Sequence, residues 1–293
     1  MSHRFATVLG LEVHYKEWGV RKENEPSVVC WHGLLRTCGD FDTLARHLSE
    51  SCGYHVICPD TIGRGLSEWS SKPKEEYHVY FYAALAKGLL ELLGITSVFW
   101  FGTSMGGMIG YMGGAQEHLL KPYIKKLILN DIGPHLEDKA IQRILAYASK
   151  LPVVETFQAL EEGVAKTYQS FGIHDAALLR SIVEGGMRRA ADGGHWTRDY
   201  DVNVVDALRV GFYSGSEECT DPWALYDALS CPVLTIRGST SDLLSEETFQ
   251  EMQVRGPRSR GVVVQDVGHA PFMNTQDQIE LVVSFFGAHG SQP

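Results

Sequence analysis

The sequence has no long apolar run. Its richest stretch, residues 81–111, is broken by Lys87, Glu91 and several glycines, which excludes a bilayer-spanning helix there. The chain opens Met1-Ser2-His3-Arg4-Phe5 and passes straight into a strand-like pattern, with no apolar segment of the kind a secretion signal needs, so a cytoplasmic location is expected. Cysteine is sparse and scattered: six residues, at 30, 38, 52, 58, 219 and 231, with no Cys-x-x-Cys pair, which reads as reduced, mostly buried thiols rather than a disulfide framework. The histidines form no His-Glu-x-x-His or other clustered ligand spacing, so no metal site and no cofactor are expected. Basic residues are outnumbered, 26 Lys and Arg against 36 Asp and Glu, for a formal net charge of −10. With no basic stripe, that balance argues against nucleic acid and against an anionic membrane surface as partners and leaves a small molecule. Oligomeric state is not legible.

What remains is a soluble globular composition, 44% hydrophobic and 21% charged, in 293 residues, compatible with one large α/β domain or a domain carrying an insertion. Short apolar runs alternate with helical patterns through Ile128-Leu129, which implies a mostly parallel sheet with helices on both faces. Val8-Leu9 and Val13 to Trp18 read as an opening hairpin turned at Gly10. From about Gly133 to Cys219 no strand is predicted; helices are expected at 140–148, 156–168 and 176–189. Strand patterns return at Val233 to Ile236 and Gly261 to Val264. The expected division is therefore a sheet core at 1–132, a helical insertion at 133–219 and the second part of the core at 220–293.

Gly102-Thr103-Ser104-Met105-Gly106 carries the most chemical information. It follows the apolar run Val98 to Phe101 and opens a helix, so it reads as strand, sharp turn and helix with a serine at the apex, as a nucleophile elbow requires. A serine hydroxyl is a weak nucleophile and needs a general base, itself oriented by a third group. The base candidate is His269, in a loop after the last predicted strand, flanked by Gly268 and Pro271. Asp242, just beyond the strand ending at Ile236, is the first choice for the orienting acid; Asp131, at the end of an earlier strand, is the alternative. An oxyanion hole needs two N–H donors: that of Met105 at the helix N-terminus, and that of Leu34 after His32-Gly33. Asp60 to Ser67, with Gly63 and Gly65, reads as a structural loop at the same sheet edge, since it lacks the ending of a phosphate cradle.

His32-Gly33, Asp60-x-x-Gly63-x-Gly65-x-Ser67, Gly102-x-Ser104-x-Gly106, Asp242 and Gly268-His269, in that order, resemble the α/β-hydrolase fold family over nearly the whole chain. The resemblance implies an eight-stranded, mostly parallel sheet, a helical cap between its sixth and seventh strands, and a Ser–His–Asp triad of Ser104, His269 and Asp242. Serine at 104 departs from the aspartate of epoxide hydrolases and haloalkane dehalogenases. Thr103 before the serine, and Ala270-Pro271-Phe272 after the histidine, depart from carbon–carbon bond hydrolases. The chain looks more like small capped esterases and lactonases, which implies hydrolysis of small carboxylic esters or lactones through an acyl-enzyme. Carbon–carbon hydrolysis, perhydrolysis, cofactor-free oxygenation and a non-catalytic receptor role remain open on the same fold. The cap segment Gly193 to Tyr200 fits either a pocket wall or a solvated loop; Trp196 is its candidate wall residue, beside His32 and Gly33.

Overall fold

The computed structural model describes residues 1–168, 173, 175–191, 193–206 and 221–287. Its strands are β1 (Ser2–Val8), β2 (Leu11–Trp18), β3 (Ser27–Trp31), β4 (Val56–Pro59), β5 (Val98–Thr103), β6 (Ile124–Asn130), β7 (Met187–Arg189), β8 (Trp196–Arg198), β9 (Val233–Gly238) and β10 (Arg260–Val264). Its helices are α1 (Asp42–Glu50), α2 (Pro73–Glu76), α3 (Val79–Leu92), α4 (Met105–Gly114), α5 (Asp138–Ala148), α6 (Phe157–Tyr168), α7 (Ala176–Gly185), α8 (Pro222–Asp227), α9 (Glu246–Met252) and α10 (Gln276–Phe286). Among the described residues, no helix is long and apolar enough to cross a membrane.

All strands except β7 and β8 join one eight-stranded sheet in the order β1-β2-β4-β3-β5-β6-β9-β10. The β1–β2 and β2–β4 pairings are antiparallel and the others parallel. The opening hairpin turns at Leu9 and Gly10, both at positive φ (52° and 84°), as a two-residue turn between twisted strands needs. The sheet's centre is apolar on both faces because helices cover both. Side chains alternate along each strand, so Val29, Trp31, Trp100, Leu127 and Leu129 pack with α3, α4, α8 and α9 on one face. Val28, Cys30, Phe99, Phe101 and Ile128 pack with α1 and α10 on the other. The described cysteines are free and wholly or partly buried; Cys219 lies outside the described residues.

Between β6 and β9 the chain leaves the sheet. Helices α5, α6 and α7 form here, and α6 and α7 build a small core of their own around Leu160, Val164, Ile182 and Val183. The expectation of a strand-free segment is corrected by the antiparallel β7–β8 ribbon, Met187↔Arg198 to Arg189↔Trp196. The helix expected over 176–189 stops at Gly185, where the Gly185-Gly186 pair lowers helical propensity and frees Met187 to Arg189 to pair with a strand. The segment is tied to the sheet edge by Thr37 Oγ1 donating to Gly185 O (2.7 Å), Gly65 N–H to Asp199 O (3.3 Å) and Asp201 N–H to Gly63 O (2.8 Å).

The β5–α4 corner is the tightest part of the fold. A Cβ at Gly106 would lie 2.0 Å from Trp31 O, and one at Gly102 would lie 2.3 Å from Gly106 O. Trp100 Nε1–H donates to Gly106 O at 2.9 Å and stacks on Trp31, so the corner is locked against β3. Gly106→Ala should therefore destabilise the protein by more than about 2 kcal/mol, because only backbone lies in the way. Gly163→Ala, in the interior of α6 with nothing within 4 Å of the new Cβ, should stabilise it by about 0.5–1 kcal/mol. Urea unfolding midpoints of the two variants would measure both.

Candidate active site

The C-terminal ends of parallel strands lie along one edge of the sheet, and the loops that leave them meet there. Gly33 follows β3, Ser104 follows β5, Asp131 follows β6, Ser241 follows β9 and His269 follows β10. Ser104 sits at φ 51°, ψ −116°, a sparsely populated conformation for a residue with a side chain, held by the glycine contacts on either side. That turn lifts its hydroxyl off the end of β5.

His269 Nε2 lies 2.9 Å from Ser104 Oγ, and His269 Nδ1 lies 2.7 Å from Asp131 Oδ2. A carboxylate only accepts, so Nδ1 carries the imidazole proton and Nε2 is left to accept from the serine hydroxyl. Asp131 is fully buried and held by two further donors: Gly238 N–H to Oδ1 at 2.8 Å and Ser241 Oγ–H to Oδ2 at 2.6 Å. The choice of Asp242 as the orienting acid is thus corrected. Its carboxylate is half-exposed and forms a bidentate pair with Arg143, at 2.6 and 2.8 Å. The physical reason lies one residue earlier. The loop after β9 turns Ser241 and the Gly238 amide inward as donors, which suits a carboxylate on β6 and sends Asp242 outward.

His32 is fully buried and sits behind the loop. Thr61 N–H donates to its Nε2 at 2.9 Å, so Nε2 must accept and Nδ1–H donates to Gly33 O at 2.7 Å. Desolvation pushes its pKa down to about 4, so the ring is neutral at pH 7. Gly33 O is thereby pulled towards His32. The Leu34 N–H, antiparallel to it across a trans peptide, faces the other way. The Leu34 carbonyl is held in turn by Arg64 Nε–H at 2.8 Å; Arg64 is fully buried among Tyr82, Ile62 and the Met105 sulfur. A Cβ at Gly33 would lie 3.6 Å from Ser104 Cβ, so this loop packs directly on the elbow. The Met105 amide is among the first-turn N–H groups of α4 that have no intrahelical partner. The 60–67 loop is structural: Asp60 accepts from Cys38 N–H, Leu66 N–H and His14.

Ser104 and His269 open into a cavity closed on the sheet side by Gly33, Leu34, Thr103 and Pro271. On the insertion side its walls include Leu136, Ile141, Ile144, Tyr147, Tyr168 and Arg198. Two arginines face it. Burial opposes the charge of Arg36, but Asp40 and Tyr168 outweigh that and hold the guanidinium protonated. Trp196 does not line the cavity: its ring packs edge-on to Phe157 (5.2 Å between centroids) under Arg189, within the insertion's own core. The wall residue of that stretch is Arg198, two positions on. Nothing in the residue pattern separated the two; the ribbon pairing with Met187 to Arg189 decides it. Arg36, Asp40 and Tyr168 are likewise cavity residues that no sequence motif marked.

The model of the alpha/beta hydrolase fold matches residues 26–275. A 3-hydroxybutyrate-oligomer hydrolase of Cupriavidus necator is 41% identical over 289 residues, covering 93% of this chain and 92% of its own. An esterase of Mycobacterium tuberculosis is 27% identical, covering 86% and 78%. A crystal structure of an alpha/beta hydrolase from Novosphingobium aromaticivorans superposes with a TM-score of 0.85 at 27% identity, covering 97% of each chain.

The buried neutral His32 makes a pH prediction. Its folded pKa lies below the unfolded value of 6.5, so between about 4 and 6.5 the unfolded chain binds more protons at this site. The contribution is complete above pH 6.5 and is lost as pH falls through about 4. NMR titration should show one imidazole that stays neutral down to about pH 4, and His32→Asn should remove its resonance and flatten the fall in stability across that window.

Proposed function

Because the chain belongs to the α/β-hydrolase fold family, we propose that it hydrolyses carboxylic esters with Ser104 as nucleophile, His269 as general base and Asp131 as the orienting acid. The observation that carries this reading is the continuous hydrogen-bonded line from Asp131 Oδ2 through the imidazole to Ser104 Oγ, at 2.7 and 2.9 Å. As Ser104 attacks the carbonyl carbon, His269 Nε2 takes its proton, and the buried Asp131 carboxylate stabilises the imidazolium. The tetrahedral oxyanion accepts from the Leu34 and Met105 amides. His269 then returns the proton to the departing alkoxide. Water attacks the acyl-enzyme by the same route in reverse and frees the acid.

Residues 133–219 act as a cap that shapes the substrate pocket over a core of 1–132 and 220–293. Small esters and lactones are the substrate class, because the cavity walls are largely apolar and converge on one reactive corner. The name of the Cupriavidus relative directs attention to short hydroxyacyl esters, the linear oligomers of 3-hydroxybutyrate first among them.

A fluorophosphonate probe should label Ser104 and fail to label Ser104→Ala. Asp131→Asn should lower kcat on p-nitrophenyl butyrate about 10³- to 10⁴-fold, since a neutral amide no longer holds the productive tautomer. Asp242→Asn removes only a surface pair with Arg143 and should stay within a few-fold of wild type. A loss in Asp242→Asn as deep as in Ser104→Ala would reverse the assignment of the acid.

A further inference from the structure

Arg198 is an anomaly in the cavity wall. The residue is 8% exposed, yet among the described residues no carboxylate pairs with it, and its buried Nε has no hydrogen-bond partner. A buried guanidinium without an anion is unfavourable, because desolvation is not offset by a counter-charge. Three acids of the described residues are engaged elsewhere. Asp199, the next residue, faces Arg188 at 3.4 Å, and burial pushes its carboxyl up to about 6. Asp40, across the cavity, is held by Arg36. Asp242 is held by Arg143. The groups around Arg198 itself are phenols: its guanidinium carbon stands 5.8 Å from the centroid of the Tyr147 ring, and Tyr200, which donates its hydroxyl to Ala148 O, also hydrogen-bonds the guanidinium but brings it no counter-charge. Burial raises the Tyr147 phenol to about 12, so it stays neutral.

We infer that Arg198 binds a carboxylate carried by the ester substrate, so that the enzyme is specific for esters of carboxylate-bearing chains and cleaves near their charged end. This rests on the proposed ester hydrolysis at Ser104. The cavity has the matching sequence of surfaces: the Ser104–His269 pair on the sheet side, the aliphatic walls of Ile141 and Ile144, and Arg198 on the insertion side. A short hydroxyacyl ester has an ester, a hydrocarbon spacer and a free carboxylate. A guanidinium can donate two parallel N–H bonds to that carboxylate, which fixes orientation as well as charge. Neutral esters would lack the partner that Arg198 needs.

The test compares the linear dimer of 3-hydroxybutyrate with the same dimer capped as its carboxamide. Wild type should prefer the free acid by about 100-fold in kcat/KM, expressed mainly in KM. Arg198→Gln should reduce that preference to within about threefold, and Arg198→Lys should keep part of it. Equal kcat/KM on the two dimers in the wild type, or an undiminished preference in Arg198→Gln, would overturn the assignment. If the variants do not fold, inhibition of wild-type p-nitrophenyl butyrate hydrolysis decides: 3-hydroxybutyrate should inhibit at least 30-fold more tightly than 3-hydroxybutyramide, and equal inhibition would refute the idea. Wild-type turnover of p-nitrophenyl butyrate without any acid preference removes only the role of Arg198. Absence of that turnover together with no fluorophosphonate labelling removes the ester-hydrolase reading itself.

Discussion

A carboxylate with no solvent exposure must find its donors within the fold, and Asp131 finds three. The Gly238 amide, the Ser241 hydroxyl and the His269 imidazole all come from segments far along the chain, and all converge on the end of β6. Each donor comes from β9 or from the loops that follow β9 and β10. The carboxylate thus holds together the two halves of the sheet core that the insertion separates in sequence. It also fixes the imidazole, whose second nitrogen then has one geometry left in which to meet Ser104.

A second set of contacts performs the same task for the backbone. Neutral His32 and charged Arg64, both fully buried, hold consecutive carbonyls of the Gly33–Leu34 segment from opposite partners. Desolvation keeps the first group uncharged, and carbonyl oxygens, a phenol and a thioether sulfur surround the second. Neither touches the reacting atoms in the proposed mechanism; each sets the direction of a peptide plane. Preorganisation of this kind lets amide dipoles stabilise a developing charge without moving. The insertion adds the rest of the cavity wall; the Arg36–Asp40 pair, and Arg198 with no carboxylate partner among the described residues, give an otherwise apolar chamber its polarity.

The elbow was legible because its demands are local. Strand, glycine, serine, glycine and helix fall within ten residues, and the close approach of Gly106 to Trp31 leaves no room for another residue type. The opening hairpin was legible for the same reason. The end of the 176–189 helix was not, because Met187 to Arg189 become a strand only when Trp196 to Arg198 arrive to pair with them. Trp196 left its expected place for that same reason: residue type favoured the tryptophan as a wall, and ribbon pairing set it into the insertion's core instead.

The sequence by itself determined the alternating α/β plan, the serine at the elbow and the loop histidine after the last strand, since periodicity and turn chemistry act over a few residues. It also narrowed the acid to Asp131 or Asp242, both just beyond strand ends. Only the tertiary structure shows which of the two carboxylates meets His269. The deciding quantity is the direction in which the loop after β9 points its donors, and that depends on how β9 sits beside β6. Ser241 turns inward and Asp242 turns out to Arg143, a difference of one residue that no short-range pattern encodes. Burial and counter-charge are properties of the assembled cavity, which is why an arginine at 198 with no carboxylate partner among the described residues became visible only once the insertion was in place over the sheet.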